Sequence, residues 1–89
     1  MEKWEVGFTR QALKQRGRLP ERVKSVVVKA VRGLQEHGIR LKGWDIRKTG
    51  DDEYRLRLNY RYRMRYKVIR KGLMKIEVFY VGHRKEAYR

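Results

Sequence analysis

The segment YRLRLNYRYRMRY, residues 54–66, alternates apolar or aromatic residues with arginines. A period of two residues is typical of a β-strand with one buried face, because successive side chains point to opposite sides of a sheet. In the first half of the segment, Arg55 and Arg57 share one face, while tyrosine and leucine residues share the other. After a short break, Arg63 and Arg65 again alternate with an apolar set. The segment therefore predicts a hairpin with a core on one face and a row of cations on the other.

The same alternation predicts the register of this hairpin. Residues that lie opposite each other in an antiparallel pair point to the same face. A two-residue loop would set Leu56 against Arg63 and mix the faces, whereas a three-residue loop at residues 59–61 keeps them separate. We therefore expect these pairs: Tyr54 with Tyr66, Leu56 with Met64, Leu58 with Tyr62, Arg55 with Arg65, Arg57 with Arg63, and Glu53 with Lys67.

Opposed arginines are unfavourable in the isolated protein. Like charges directly opposite each other in a sheet destabilise it by up to about 1 kcal/mol per pair. Two such pairs side by side, with little acid expected near them, indicate a surface shaped for a polyanion. The alternative is a solvated cationic face that blunts edge strands. Arginine presents a planar fork of donors that matches phosphate, and this choice of residue favours phosphate recognition.

Length and charge narrow the class of protein. The chain has 89 residues and a formal net charge of +15, which predicts one domain over residues 1–89 that meets nucleic acid, an anionic membrane surface or an acidic protein. It has no apolar run long enough for a membrane span and no signal-peptide pattern at its start, so we expect a soluble cytoplasmic protein. With no cysteine and two histidines, we expect no disulfide, no metal site and no cofactor.

The N-terminal half predicts one strand and two helices. Residues 3–8 alternate as a strand, and Thr9 is a candidate N-cap for a short helix through about Gln15. Leu19-Pro20 opens a longer helix, with proline at its first position, and Gly38 fits the left-handed position that ends it. Residues 39–52 lose the periodicity and predict a connection or a short irregular strand.

A second hairpin should close the chain. We expect a last strand over residues 73–81, with Gly72 supplying the positive φ of a bulged three-residue turn. This register sets Arg65 opposite Glu77. The other expected pairs are Val68 with Met74, Tyr66 with Ile76, Met64 with Val78, and Tyr62 with Tyr80. Residues 82–89 should then leave the sheet edge.

The element order β-α-α-β-β-β predicts an α+β fold. Two N-terminal helices would pack on one face of a small, mainly antiparallel sheet, because the long helix carries one apolar stripe. The other face would stay open and basic. No internal repeat or low-complexity segment divides the chain.

The residues that could carry chemistry are arginines, tyrosines and one histidine near the sheet. There is no nucleophilic triad, no pair of carboxylates in an apolar setting and no glycine-rich phosphate loop. Cleavage of RNA by its own 2′-OH needs cations on the phosphate and a group that moves protons. Arginine supplies the first but holds its proton too tightly for the second. This leaves His83 and Tyr88 as proton carriers.

Each of these candidates also has a structural interpretation. His83 could be an ordinary surface histidine, and Tyr88 could anchor the tail by packing. Tyr60, at a hairpin tip, could stack on a base or simply cover its own turn.

Several short motifs in order resemble the RelE/ParE toxin superfamily of bacterial toxin–antitoxin systems. They are the Trp-x-Val-x-Phe-Thr start at residues 4–9, the Leu19-Pro20 helix opening, the arginine ladder, and the closing Gly-His-Arg…Tyr at residues 82–88. The resemblance covers essentially the whole chain. It implies a ribosome-dependent mRNA endonuclease that inhibits translation, with ribosomal RNA contacts through the basic surface. It also implies an acidic cognate antitoxin that covers the site.

The resemblance also implies roles for individual residues. It assigns the chemistry to Arg63, His83, Arg84 and Tyr88, and RNA binding to Arg55, Arg57, Arg61, Arg65 and Tyr60. The best-studied members carry lysines at the positions of Arg55 and Arg57, where lysine can share in proton transfer. Arginine at these positions shifts that task to His83 or Tyr88.

Two alternatives to the endonuclease stay open on the sequence. The first is a gyrase inhibitor of the ParE branch, although the closing Gly-His-Arg…Tyr favours the ribonuclease branch. The second is a non-catalytic RNA-binding module.

Overall fold

The computed structural model describes residues 3–86, which form two helices and five strands. A 3₁₀ turn, Gly38–Arg40, follows the second helix. The elements in chain order are β1 (Glu5–Phe8), α1 (Arg10–Gly17), α2 (Glu21–His37), β2 (Ile46–Gly50), β3 (Glu53–Arg57), β4 (Tyr62–Arg70) and β5 (Lys75–His83).

All five strands form one sheet, in the order β1-β5-β4-β3-β2. β1 runs parallel to β5, and the other neighbours are antiparallel. The predicted α+β class with a mainly antiparallel sheet is therefore confirmed. Of the two expectations for residues 39–52, the short irregular strand is correct: Ile46 on β2 pairs with Leu56 and packs against the core, and the register shifts between Lys48 and Gly50. The predicted order β-α-α-β-β-β did not count this strand.

The first helix begins as the sequence predicts, whereas the second begins one residue later. The backbone N–H of Ala12 donates to Thr9 Oγ1 at 3.1 Å, which caps α1. Pro20 lies one position before α2 rather than at its first residue, with the extended φ and ψ of an N-cap. The buried stripe of α2 is Val23, Val27, Ala30 and Leu34.

Gly38 ends α2 with a φ of 55° and a ψ of −130°. The positive φ was expected, but this ψ lies outside the left-handed helical region and is open only to glycine. The indole ring of Trp4 occupies the space into which a side chain at residue 38 would point. Two features therefore require glycine at residue 38: its backbone conformation and the packing of Trp4 against the end of α2.

The register of the first hairpin is confirmed in β3 and β4. Opposite pairs run from Glu53 with Lys67 to Arg57 with Arg63, and they include Tyr54 with Tyr66. The rings of Tyr54 and Tyr66 stack with their centroids 5.5 Å apart. Beyond the strands, the backbone N–H of Leu58 donates to the carbonyl of Tyr62 at 3.0 Å, which closes the loop.

The predicted register of the second hairpin is wrong. Near the turn the strands are offset by two residues, so that Val68 pairs with Ile76 and Tyr66 with Val78. The turn spans residues 71–74, and Met74 rather than Gly72 takes the positive φ, at 53°. An offset of two preserves the faces, and alternation alone therefore cannot distinguish the two registers.

A second irregularity lies between Arg65 and Tyr66 on β4, where β5 carries one extra residue, Phe79. A bulge of this kind changes the phase of the alternation. Met64 consequently pairs with Val81, and Arg65 with Tyr80. β5 also continues to His83, opposite Tyr62, where the sequence predicted that the strand would end at residue 81.

The core lies between the helices and one face of the sheet. The largest fully buried side chains are Tyr66, Leu34, Leu56, Met64, Ile76, Val23, Val27, Val78 and Val81. Within residues 3–86, neither helix is both long enough and apolar enough to cross a membrane.

Candidate nucleic-acid interface

Three neighbouring strands bring arginines into one row across the sheet. Arg47 on β2 pairs with Arg55 on β3, which pairs with Arg65 on β4, and the row ends at Tyr80 on β5. The predicted pairing of Arg55 with Arg65 is thus extended by a third arginine. Arg47 was missed because the alternation in residues 39–52 is too short to place it on a strand.

A parallel row contains Arg57 and Arg63, followed by Gly82 on β5. The two rows border a groove of about 280 Å³, lined by Asp45, Arg47, Arg55, Arg57 and Arg63. The lining therefore sets one carboxylate against four guanidinium groups.

The carboxylates near these arginines come from flanking segments. Asp45 lies 3.8 Å from Arg57 and 3.7 Å from Arg47, measured between the charged atoms. Exposed pairs at such distances contribute little, typically below about 1 kcal/mol. The sequence suggested that little acid lies near the arginine pairs, and Asp45 and Glu53 correct that expectation.

The expected pairing of Arg65 with Glu77 is wrong. Arg65 lies 3.8 Å from Glu53, whereas Glu77 lies 3.9 Å from Lys67. The cause is the two-residue offset, which places Lys67 opposite Glu77. The guanidinium of Arg65 also lies 5.1 Å from the centre of the Phe79 ring, so this arginine is held against the sheet.

Arg63 is the one charged residue that the described part of the chain buries, with 8% of its surface exposed. Its Nη1 donates to the carbonyl oxygens of Asn59 (2.6 Å), Tyr60 (3.2 Å) and Tyr62 (3.1 Å). Arg63 thus lines the groove and also supports the β3–β4 loop from below.

The β3–β4 loop, residues 58–61, is closed by its own side chains. Asn59 Oδ1 accepts hydrogen bonds from the backbone N–H groups of Arg61 (2.8 Å) and Tyr62 (2.9 Å), as in an Asx turn. The Tyr60 ring projects from this loop with 63% of its surface exposed.

The end of β5 lies beside this loop. The backbone N–H of Arg84 donates to the carbonyl of Arg61 at 2.7 Å, and the Arg84 guanidinium lies 4.6 Å from the centre of the Tyr60 ring. The Arg57 guanidinium lies 5.9 Å from the same ring. Residues that are distant in sequence therefore meet around Tyr60.

His83 is held by three contacts. Its ring meets the Tyr62 ring edge-on at 5.9 Å, its Nδ1 accepts from the backbone N–H of Lys85 at 3.2 Å, and its carbonyl accepts from the Tyr80 hydroxyl at 2.9 Å. Because Nδ1 is an acceptor, the neutral ring carries its proton on Nε2 in this arrangement. Burial raises the pKa of the Tyr80 phenol; Glu86 raises it further and Arg65 opposes the shift.

The structure brings together most of the site residues that the sequence singled out. Arg57, Tyr60, Arg61, Arg63 and Arg84 form one connected cluster, which the Tyr62 ring extends to His83. Arg55 lines the adjoining groove, and Arg65 lies in the same row. Tyr88 lies outside the described residues. Tyr80 was missed, because the unbroken run Val78-Phe79-Tyr80-Val81 hides the change of phase at the bulge.

Among residues 3–86, no three histidine or acidic side chains are arranged to hold a metal ion. The interface offers a dense set of guanidinium donors, one histidine and the exposed aromatic ring of Tyr60. Guanidinium groups bind phosphate oxygens, and exposed aromatic rings stack on bases. The arrangement therefore suits a single-stranded nucleic acid.

Solved RelE and YoeB structures share the fold of this chain, which confirms the fold that the resemblance implies. Archaeal RelE in complex with RelB from Pyrococcus horikoshii is 21% identical with a TM-score of 0.76, over 91% of this chain and 94% of that one. The toxin of the RelB–RelE complex from Methanococcus jannaschii is 20% identical with a TM-score of 0.75, over 91% and 93%.

A third solved structure shares this fold. It is the YoeB–YefM complex from Staphylococcus aureus, at 16% identity and a TM-score of 0.70, over 89% of this chain and 94% of that one. A scan against protein-family models found no match. A search of curated protein sequences also found none.

Proposed function

We propose that this protein is the toxin of a toxin–antitoxin module and cleaves mRNA on the ribosome. The observation that carries the proposal is the pair of arginine rows on the open sheet face, which borders a groove with four guanidinium groups and one carboxylate. Opposed arginines destabilise the isolated sheet, and a bound phosphodiester removes that cost. The fold, shared with toxins solved in complex with their antitoxins, supports the same assignment.

The proposed reaction is transesterification within the RNA chain. The 2′-OH loses its proton and its oxygen attacks the adjacent phosphorus, while the bond from phosphorus to the 5′-oxygen breaks. The departing 5′-oxygen takes up a proton, which leaves a 2′,3′-cyclic phosphate and a 5′-OH. Arg57, Arg63 and Arg84 would stabilise the negative charge that builds on the phosphate oxygens.

Proton transfer falls to His83 and Tyr88 in this proposal, because arginine does not release its proton near neutral pH. His83 Nδ1 already accepts from the backbone N–H of Lys85. Protonation of that nitrogen would turn it into a donor and end this hydrogen bond. A proton relay through His83 therefore requires a small rearrangement of residues 83–85.

The proposed partners follow from the charge. Messenger RNA in the decoding region would occupy the groove, and ribosomal RNA would meet the wider basic surface of a chain with net charge +15. An acidic antitoxin would cover the same arginines and silence the toxin. This assignment places the protein in the cytoplasm, where translation takes place.

The test is to induce the protein in bacteria and map the 5′ ends of mRNA across the transcriptome. We expect growth arrest and new 5′-OH ends inside coding regions, with 2′,3′-cyclic phosphate on the upstream fragments. The variant Arg57→Gln should reduce cleavage strongly. The matched control Arg22→Gln removes the same charge from the exposed side of α2 and should cleave like the parent.

Other outcomes would point to the alternatives. Growth arrest with intact transcripts and double-strand DNA breaks would contradict mRNA cleavage and support gyrase inhibition. RNA binding without any cleavage would indicate a non-catalytic RNA-binding module. Co-expression of an acidic protein encoded next to this gene should restore growth, and failure of every such neighbour to do so would contradict the antitoxin assignment.

A further inference from the structure

Arg84 is held by the β3–β4 loop at two points. Its backbone N–H donates to the carbonyl of Arg61 at 2.7 Å, and its guanidinium lies 4.6 Å from the centre of the Tyr60 ring. The first contact fixes where the side chain starts, and the second fixes where its charged end lies. Both contacts come from residues that lie more than 20 positions earlier in the chain.

The loop that makes these contacts is itself braced. Asn59 Oδ1 accepts from two backbone N–H groups across the turn. Arg63 Nη1, from the buried side, donates to the carbonyls of Asn59 and Tyr60. The backbone carbonyl of Tyr60 is therefore bound to Arg63 at the floor of the groove. The Tyr60 ring, in contrast, is largely exposed.

An arginine at the end of a strand ordinarily samples many rotamers, and fixing its side chain costs conformational entropy. Stacking a guanidinium on an aromatic face recovers part of that cost, and the plane of the guanidinium then follows the ring. The N–H groups at the edge of the guanidinium stay available for phosphate oxygens, because stacking uses the face. Tyr60 thus orients the Arg84 guanidinium and leaves its N–H groups available to bind phosphate.

We propose that Tyr60 is a positioning residue that holds the Arg84 guanidinium toward the scissile phosphate. The inference rests on the proposed function, since it assumes that Arg84 acts on an RNA phosphate. It differs from base stacking, because the ring acts through Arg84 and its own contact with RNA is not required. The Tyr60 hydroxyl has no part in this positioning, so phenylalanine at residue 60 should preserve it.

The kinetic test compares Tyr60→Phe, Tyr60→Leu and Arg84→Ala in ribosome-dependent cleavage of one mRNA. Tyr60→Phe should match the parent. Tyr60→Leu should lower kcat on the order of 10-fold, within the range expected for a lost cation–π contact, and leave KM within about 2-fold. In the Arg84→Ala background the same Tyr60→Leu change should lower kcat by less than about 2-fold, because the Arg84 guanidinium is absent and Arg57, at 5.9 Å, lies at the outer limit of a cation–π contact.

A spectroscopic test does not depend on activity. In the NMR spectrum of the free protein, the ring current of Tyr60 should shift the Arg84 Nε–H resonance upfield. Tyr60→Phe should preserve this shift, and Tyr60→Leu should abolish it while the amide resonances of residues 62–68 stay in place.

The outcomes separate this inference from the proposed function. If the parent cleaves no RNA, the proposed function fails, whereas the NMR comparison still supports or overturns the Tyr60–Arg84 contact. If the parent cleaves and Tyr60→Leu retains full kcat, the positioning role is overturned alone. A Tyr60→Leu change that raises KM only, equally in both backgrounds, would overturn it in favour of direct base stacking.

Discussion

Arg63 donates from Nη1 to the carbonyl oxygen of Asn59 at 2.6 Å, and so ties the floor of the basic groove to the loop above it. The same Nη1 also donates to the carbonyl oxygens of Tyr60 in the loop and Tyr62 at the start of β4. A residue to which the resemblance assigns part of the chemistry thus also has a structural role. Its position on β4, opposite Arg57, places one guanidinium between the loop and the groove.

Replacing Arg63 should therefore change stability as well as activity. In Arg63→Gln, the loop carbonyls lose a charged donor inside a buried site, and we expect a loss of about 1–3 kcal/mol in the free energy of unfolding. Urea denaturation measures this loss. The matched control Arg22→Gln, on the exposed side of α2, should stay within about 0.5 kcal/mol of the parent. Equal stability of the two variants would contradict the bracing role.

Reversing one charge in the arginine row should separate stability from RNA binding. Arg47→Glu places a carboxylate opposite Arg55 and converts a repulsive pair into an attractive one. We expect a gain of up to about 1 kcal/mol in the free energy of unfolding at low salt, and less at high salt. Urea titrations at two salt concentrations measure it.

The same variant should bind a 2′-O-methyl RNA oligonucleotide more weakly, with a shallower dependence of log K on log salt. Lys29→Glu changes the net charge equally but lies on α2, and it should affect the salt slope less. An equal loss of affinity in both variants would show that net charge, rather than the arginine row, governs binding.

Gly82 should not tolerate alanine, because of Tyr80. A Cβ at residue 82 would lie 2.7 Å from the Tyr80 hydroxyl oxygen, and the ring would have to move. We expect Gly82→Ala to break the hydrogen bond from Tyr80 to the His83 carbonyl, at a cost of about 1 kcal/mol in stability. Cleavage should fall further than this modest loss explains, since His83 and Arg84 would be displaced.

Tyr80→Phe removes the same hydrogen bond without adding a methyl group, and it serves as the comparison. Thermal unfolding and cleavage, measured on both variants, test the role of the Tyr80 hydrogen bond to the His83 carbonyl. Full activity in Gly82→Ala would show that the Tyr80 contact has no bearing on the site.

Alkaline pH should destabilise the protein through Tyr66. Burial, with a smaller contribution from Tyr54, raises the pKa of the Tyr66 phenol far above its ordinary value of about 10. The unfolded chain therefore releases this proton near pH 10, while the folded chain keeps it. The stabilisation is complete below pH 10 and falls by about 1.4 kcal/mol per pH unit above it.

Tyr66→Phe should flatten this part of the curve of unfolding free energy against pH, measured by urea titration between pH 8 and 11. The exposed Tyr60→Phe change is the control and should leave the slope unaltered. A parental slope in Tyr66→Phe would assign the alkaline loss to other groups.

Alternation in residues 54–66 was sufficient to predict the first hairpin, its register and its division into an apolar and a basic face. Each of these follows from local rules, because a one-residue slip would bury an arginine in place of a leucine or tyrosine. The Thr9 cap and the apolar stripe of α2 were predictable for the same reason. The arginine-rich face was thus predictable from the chain alone.

The second hairpin and the completed site were decided by the tertiary structure. A register offset of two residues leaves each side chain on the same face of the sheet, so the alternation cannot reveal it. The Phe79 bulge lies inside a continuous apolar run, so the sequence pattern cannot reveal it either. That bulge turns Tyr80 toward Arg65 and directs His83 and Arg84 toward the loop at residues 59–61. The sequence alone determined that the first hairpin has a basic face and which of its arginines share that face. Long-range strand pairing, which depends on the packing of whole elements, decided which of them meet.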